Sequence, residues 1–158
     1  IRSLKDHGLI SAIKSHSAKD KPLLGICLGM QLLASKGTEY EEADGLDIVP
    51  GTVLPILENS SENREEKVPF VGWSTLIPAD ELEFCASILR KAGKEGFVYH
   101  LHSFYFSPEN PENLLASYYF GSRKITAAVR LGNTYGLQFH PEKSGDVGLD
   151  ILAEFMRI

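Results

Sequence analysis

Cys27 closes the apolar run Pro22-Leu23-Leu24-Gly25-Ile26, stands between Gly25 and Gly29, and is followed at once by the helix-compatible Met30-Gln31-Leu32-Leu33-Ala34. G-x-C-x-G at a strand-to-helix turn is the thiol form of a nucleophile elbow, in which the reactive side chain is held clear of its own chain on a sharp, strained turn. The two glycines are expected to let neighbouring backbone pass without a Cβ clash. The place at a helix start is expected to favour thiolate over thiol, and the Leu28 N–H points into the same space as one donor for a developing oxyanion.

A thiol nucleophile needs a base to take and later return its proton, and that base needs a partner to fix its tautomer. Leu137-Gln138-Phe139-His140-Pro141-Glu142-Lys143-Ser144-Gly145 offers both: His140 falls where a strand should end, and Pro141 stiffens the link that holds Glu142 against the imidazole. The chain order is Cys, His, Glu, and the reading requires the strand ends at Cys27 and His140 to lie at one edge of a sheet. His100 and His102 sit two apart on a strand and face one side, but no further Cys or carboxylate stands at ligand spacing, so no metal site is expected. His7 and His16 read as solvated helix positions.

These residues need a scaffold of strands and helices. Leu4, Leu9, Ile10 and Ile13 share one face of a helix over residues 2–16; the strand and elbow follow, then a helix from Leu28 that Gly37 ends. Gly45 to Leu57, broken by Pro50, Gly51 and Pro55, predicts short strands at a sheet edge. Glu58 to Lys67 has no apolar residue and reads as a surface loop or hairpin tip. Asp80 with Glu83 resembles a capping box for a helix whose face is Leu82, Cys85, Ala86 and Leu89, ending at Gly93, with Cys85 in the core. Phe97 to Phe106 predicts a strand and Ser107 to Asn113 a loop. Leu114 to Phe120, Ile125 to Leu131 and Tyr135 to Phe139 predict antiparallel strands joined at Gly121-Ser122 and Gly132-Asn133. Ile151, Leu152, Phe155 and Met156 close an amphipathic helix. The fold class is α/β with a mixed sheet flanked by helices.

The chain has 158 residues, 43% hydrophobic and 23% charged, with a net charge of -5. That composition suits one domain, 1–158, and argues against nucleic acid or an anionic membrane as partner. No apolar run approaches a membrane span and no signal peptide is visible. Two cysteines in unlike surroundings make no disulfide framework, which points to a reducing cytoplasm.

Gly25-Ile26-Cys27-Leu28-Gly29-Met30-Gln31 and Phe139-His140-Pro141-Glu142-Lys143-Ser144 resemble the two signature motifs of class I glutamine amidotransferases. Val68-Pro69-Phe70-Val71-Gly72-Trp73 and His102-Ser103-Phe104 resemble the glutaminase subunits that serve imidazole glycerol phosphate formation in histidine biosynthesis. The resemblance implies that Cys27 attacks the side-chain amide of L-glutamine, that His140 protonates departing ammonia, and that Glu142 orients His140. It implies glutamine-holding roles for Gln31, Glu39, His102, Ser103 and Phe104, no cofactor, and a cyclase barrel as heterodimer partner, with Pro69, Trp73 and Lys143 at that interface.

The sequence departs from the family pattern in three places. Nothing before Leu4 matches the N-terminal βα portion whose Pro-Gly-x-Gly loop supplies the second oxyanion donor. The expectation is therefore an N-terminally incomplete domain, about 40 to 50 residues short, of low activity and stability alone. The usual Pro-His-x-Gly-Trp-Asn reads Pro69-Phe70-Val71-Gly72-Trp73-Ser74, and His-Ser-Tyr reads His102-Ser103-Phe104. Three alternatives stay open: the motif changes allow a paralogue feeding ammonia to a surface-polysaccharide sugar pathway, the Cys-His-Glu chemistry alone would serve a thiol hydrolase or peptidase, and the half-built oxyanion site allows an inactive binding module of the same fold.

Overall fold

A computed structural model describes residues 1–39, 42–57, 67–93 and 96–158. The chain begins with helices α1 (Arg2–Asp6) and α2 (Leu9–Ala18) rather than one helix, because Gly8 turns left-handed at φ 66° between them. Neither helix buries a residue fully, and Leu9 of the expected apolar face is exposed. Strand β1 (Leu23–Ile26) runs into Cys27 and then helix α3 (Leu28–Leu32). This helix stops well short of Gly37. The N–H groups of Leu46, Asp47, Ile48 and Val49 take the carbonyls of Leu32, Ala34 and Leu33, so its end is capped by a returning segment, and Gly37 lies instead in β2 (Lys36–Gly37).

The remaining elements are β3 (Ala43–Asp44), β4 (Gly51–Pro55), β5 (Phe70–Thr75), β6 (Ile77–Pro78), α4 (Glu81–Cys85), β7 (Phe97–His102), β8 (Phe104–Pro108), β9 (Leu114–Phe120), β10 (Arg123–Leu131), β11 (Thr134–Leu137) and α5 (Gly145–Phe155). One sheet has the order β1-β11-β10-β9-β6. It is mixed: β1 and β11 are parallel, from Leu23 opposite Thr134 to Ile26 opposite Leu137, and the other pairs are antiparallel. A second sheet runs β3-β2-β4-β8, so β4 is an interior strand and not the expected edge. Pro55 is tolerated because it ends the strand, opposite Phe104. A two-stranded ribbon pairs β5 with β7, and the strand expected from Phe97 to Phe106 breaks at Ser103, where the chain leaves the ribbon for the second sheet.

The larger core cluster lies over the mixed sheet and includes Tyr118, Leu137, Phe139 and Ile151; the smaller joins Met30, Val49, Val53, Phe106 and Val129. Asp80 caps α4, its Oδ1 accepting from the N–H of Leu82 and Glu83, while Glu83 reaches Arg130 instead of closing the box. The buried face there is Phe84, Ile88, Leu89 and Ala92. Leu82 and Cys85 are exposed, one step off the expected face, and the helix ends at Cys85 rather than Gly93. In α5 Ile151 is buried, whereas Met156, just past its end, is exposed. Among the described residues no helix is long and apolar enough to cross a membrane. The polar stretch from 58 to 66 lies outside them.

Candidate functional site: a thiol beside a histidine–carboxylate pair

Cys27 sits at φ 50°, ψ -107°, a left-handed conformation rare for a residue with a side chain and worth about 1–3 kcal/mol of strain. What holds it there is the fit of α3 on the sheet. A Cβ on Gly25 would lie 2.6 Å from the Gly29 carbonyl oxygen, and one on Gly136, its partner across β11, 2.7 Å from Met30 Cγ. Both strands therefore need bare backbone under α3. Gly29 does not share the role expected of it, because a Cβ there would meet open space.

Since β1 and β11 are parallel, their C-terminal ends reach the same sheet edge. The Cys27 N–H donates to the Leu137 carbonyl at 2.7 Å, and three residues later comes His140. Strand β7 grips both sides: the His140 N–H donates to the Tyr99 carbonyl at 2.8 Å, and the Cys27 thiol lies 3.8 Å from the Leu101 carbonyl it donates to. Ser144 Oγ donates to the His140 carbonyl at 2.6 Å and accepts from the Tyr99 N–H at 3.0 Å, tying the histidine loop to β7.

His140 Nδ1 is 2.7 Å from Glu142 Oε1, and a carboxylate only accepts, so Nδ1 carries the proton. That tautomer leaves the lone pair on Nε2, which is buried with no partner among the described residues. The thiol's pKa is raised, contrary to the expectation from the helix start. Burial of the sulfur is the largest influence, and the Glu142 charge adds to it. The Leu28 N–H, the Gln138 amide and Lys143 oppose both without winning. Helix α3 has five residues, too short a dipole to offset the lost hydration.

Leu28, Gln31 and Glu39 line one cleft of about 150 Å³ together with Asp44 and Val53. His102, Ser103 and Phe104 do not line it. The His102 ring turns into the core, where Nδ1 meets the Phe104 carbonyl at 2.9 Å and Nε2 meets Tyr118 Oη at 3.1 Å and His100 Nδ1 at 3.2 Å. Burial lowers the His102 pKa to about 4 and that of His100 further, so both rings are neutral. Pro69, Trp73 and Lys143 are all exposed. With Val71, Phe97 and Leu101, Trp73 forms an apolar outer face on the β5–β7 ribbon, and its ring meets that of Tyr99 edge-on at 5.5 Å.

Sequence reasoning gave no role to Gln138, although it is fully buried and donates to Cys27 Sγ at 3.8 Å. A polar residue inside the apolar stretch before His140 was the available signal, since a buried amide must find partners. The grip of β7 carbonyls had no such signal.

The class I glutamine amidotransferase model matches residues 3–158. The chain is 38% identical, over all its length and 75% of the other protein, to the Legionella pneumophila (strain Paris) imidazole glycerol phosphate synthase subunit HisH 1. It is 43% identical, over 96% of itself and 69% of the other, to the Bacillus licheniformis subunit HisH of the same synthase. Among solved structures, a chain of PurLQS from Thermotoga maritima shares the fold with a TM-score of 0.66 at 20% identity, covering 94% of this chain and 67% of that one. With a thiol elbow, a histidine–carboxylate pair at the same sheet edge and a family match across almost its whole length, the chain belongs to the class I glutamine amidotransferases.

Proposed function

We propose that the chain hydrolyses L-glutamine to glutamate and ammonia through a thioester on Cys27, acting as one glutaminase domain in the cytoplasm. The observation that carries this is the His140–Glu142 pair, with Nδ1 tied to the carboxylate and Nε2 left as a free base at the edge where the elbow presents its thiol. Cys27 Sγ attacks the side-chain amide carbon as His140 Nε2 takes the thiol proton, and the Leu28 N–H donates to the oxyanion. His140 then returns the proton to the departing ammonia, and water cleaves the thioester. Gln31 and Glu39, on one cleft beside Leu28, suit a zwitterionic substrate, the carboxylate facing its ammonium.

We further infer that the ammonia passes to a cyclase barrel that makes imidazole glycerol phosphate, as the names of the relatives suggest; they do not favour the sugar-pathway alternative. The exposed apolar face at Val71, Trp73 and Leu101, with Pro69 and Lys143 also exposed, suits a partner surface. The test is glutamate release from glutamine with and without a cyclase barrel, read with the mass of Cys27 during turnover. Glutamate together with a transient acyl adduct on Cys27 supports the reading. Untouched glutamine with peptide or ester cleavage would mark a thiol hydrolase, and the absence of any adduct a binding module.

A further inference from the structure

A partly buried line of hydrogen bonds ends on the Cys27 sulfur, and one backbone carbonyl sets its direction. Phe104 O only accepts, so the amide nitrogen of Gln31 must face it, at 3.2 Å. The second proton on that nitrogen then goes to Gln138 Oε1, also at 3.2 Å. With its oxygen committed to Gln31, Gln138 must turn its own nitrogen toward Cys27 Sγ, 3.8 Å away. Flipping the Gln138 amide would set two donors against each other inside the core, where an unpaired polar group is costly. The Phe104 carbonyl is in turn held from its other side by His102 Nδ1.

We propose that Gln138 is the side chain that joins the Leu28 N–H in holding the Cys27 sulfur as thiolate, and that Gln31 acts behind it as a positioning residue by locking the amide so that an N–H always faces the sulfur. The two states of the thiol are served by different groups. Protonated, it donates to the Leu101 carbonyl; ionised, it loses that acceptor and is held by the Gln138 amide with the Leu28 N–H. The fixed donor matters because burial works against the anion, and each N–H facing the sulfur offsets part of that penalty. The inference rests on the thiol chemistry proposed above, but its test uses no glutamine.

The experiment measures the rate of alkylation of Cys27 by iodoacetamide against pH, in a Cys85→Ser background because Cys85 is exposed. Gln138→Leu, which removes the donor, and Gln138→Glu, which keeps the shape but sets a carboxylate against the sulfur, should each raise the midpoint by about one pH unit. At neutral pH that corresponds to roughly a tenfold lower alkylation rate. Gln31→Met should move it the same way by less, and should add nothing once Gln138 is Leu, because Gln31 reaches the sulfur only through that amide. If Gln138→Leu does not fold, Gln31→Met carries the test, because it frees the Gln138 amide to turn without placing a charge beside the sulfur. An unmoved midpoint, or unfolding of both variants, would assign Gln138 to packing alone. A moved midpoint in a protein that releases no glutamate would keep this inference and sink the glutaminase reading.

Discussion

Among the described residues His140 Nδ1 has one acceptor in reach, Glu142, and that acceptor decides what the other nitrogen does. Replacing Glu142 with Gln keeps the shape and halves the certainty, since an amide can offer either an oxygen or an N–H to the ring. The expected result is a fall in kcat of a hundredfold or more with KM little changed, read as glutamate release. The buried imidazoles make a second prediction, in stability. The His102 pKa falls from 6.5 to about 4 on folding, so below pH 6.5 the unfolded chain binds a proton that the folded chain refuses. Its contribution is fully present above 6.5 and fades as pH drops toward 4, by up to about 3 kcal/mol. Urea midpoints at about pH 7.5 and about pH 5 should show this loss in the parent chain, and a smaller one in His102→Gln.

At the scale of elements, the elbow depends on how closely α3 lies on β1 and β11. Gly25→Ala drives a methyl into backbone that has nowhere to go and should cost about 1–3 kcal/mol in urea unfolding. Gly29→Ala should be neutral or slightly stabilising, since it adds a helix former in open space. The sequence showed the elbow and the His-Pro-Glu turn because each is local: a strand, a tight turn and a cap leave their marks within a few residues. It did not show that Gly136 and Gly25 serve the same helix, because that follows from the parallel register, which joins residues more than a hundred positions apart. The same limit hid the interior place of β4 and the sheet switch at Ser103. Helix ends were misread at Gly37 and Gly93 because a returning segment, or a run of turns, ends those helices before the glycine is reached. Cys85 looked like core because Leu82 and Leu89 suggested one face; Leu89 is buried, but in the helix Phe84 takes the inner place and leaves Leu82 and Cys85 outside.

Across the whole molecule, the β5–β7 ribbon stands between the outside and the site. Val71, Trp73, Phe97 and Leu101 face out, while Phe70, Ser74, His100 and His102 face in, where Ser74 Oγ meets His100 Nε2 at 3.0 Å. Trp73→Ala and Val71→Asp should therefore leave the melting temperature within a few degrees of the parent, since exposed positions are worth about 0.5 kcal/mol or less, while weakening association with a cyclase barrel. Isothermal titration against that barrel, set beside thermal melting of the variant alone, checks both halves. Because a strand alternates its side chains, the ribbon splits into two sets of positions that answer to different demands. A library randomised at 71, 73, 97 and 101 would search for new companions while leaving the imidazole pair undisturbed; one randomised at 70, 74, 100 and 102 would disturb the interior that holds the nucleophile's surroundings. Parity along six residues thus separates what the protein meets from what it does, so that one is free to change while the other stays.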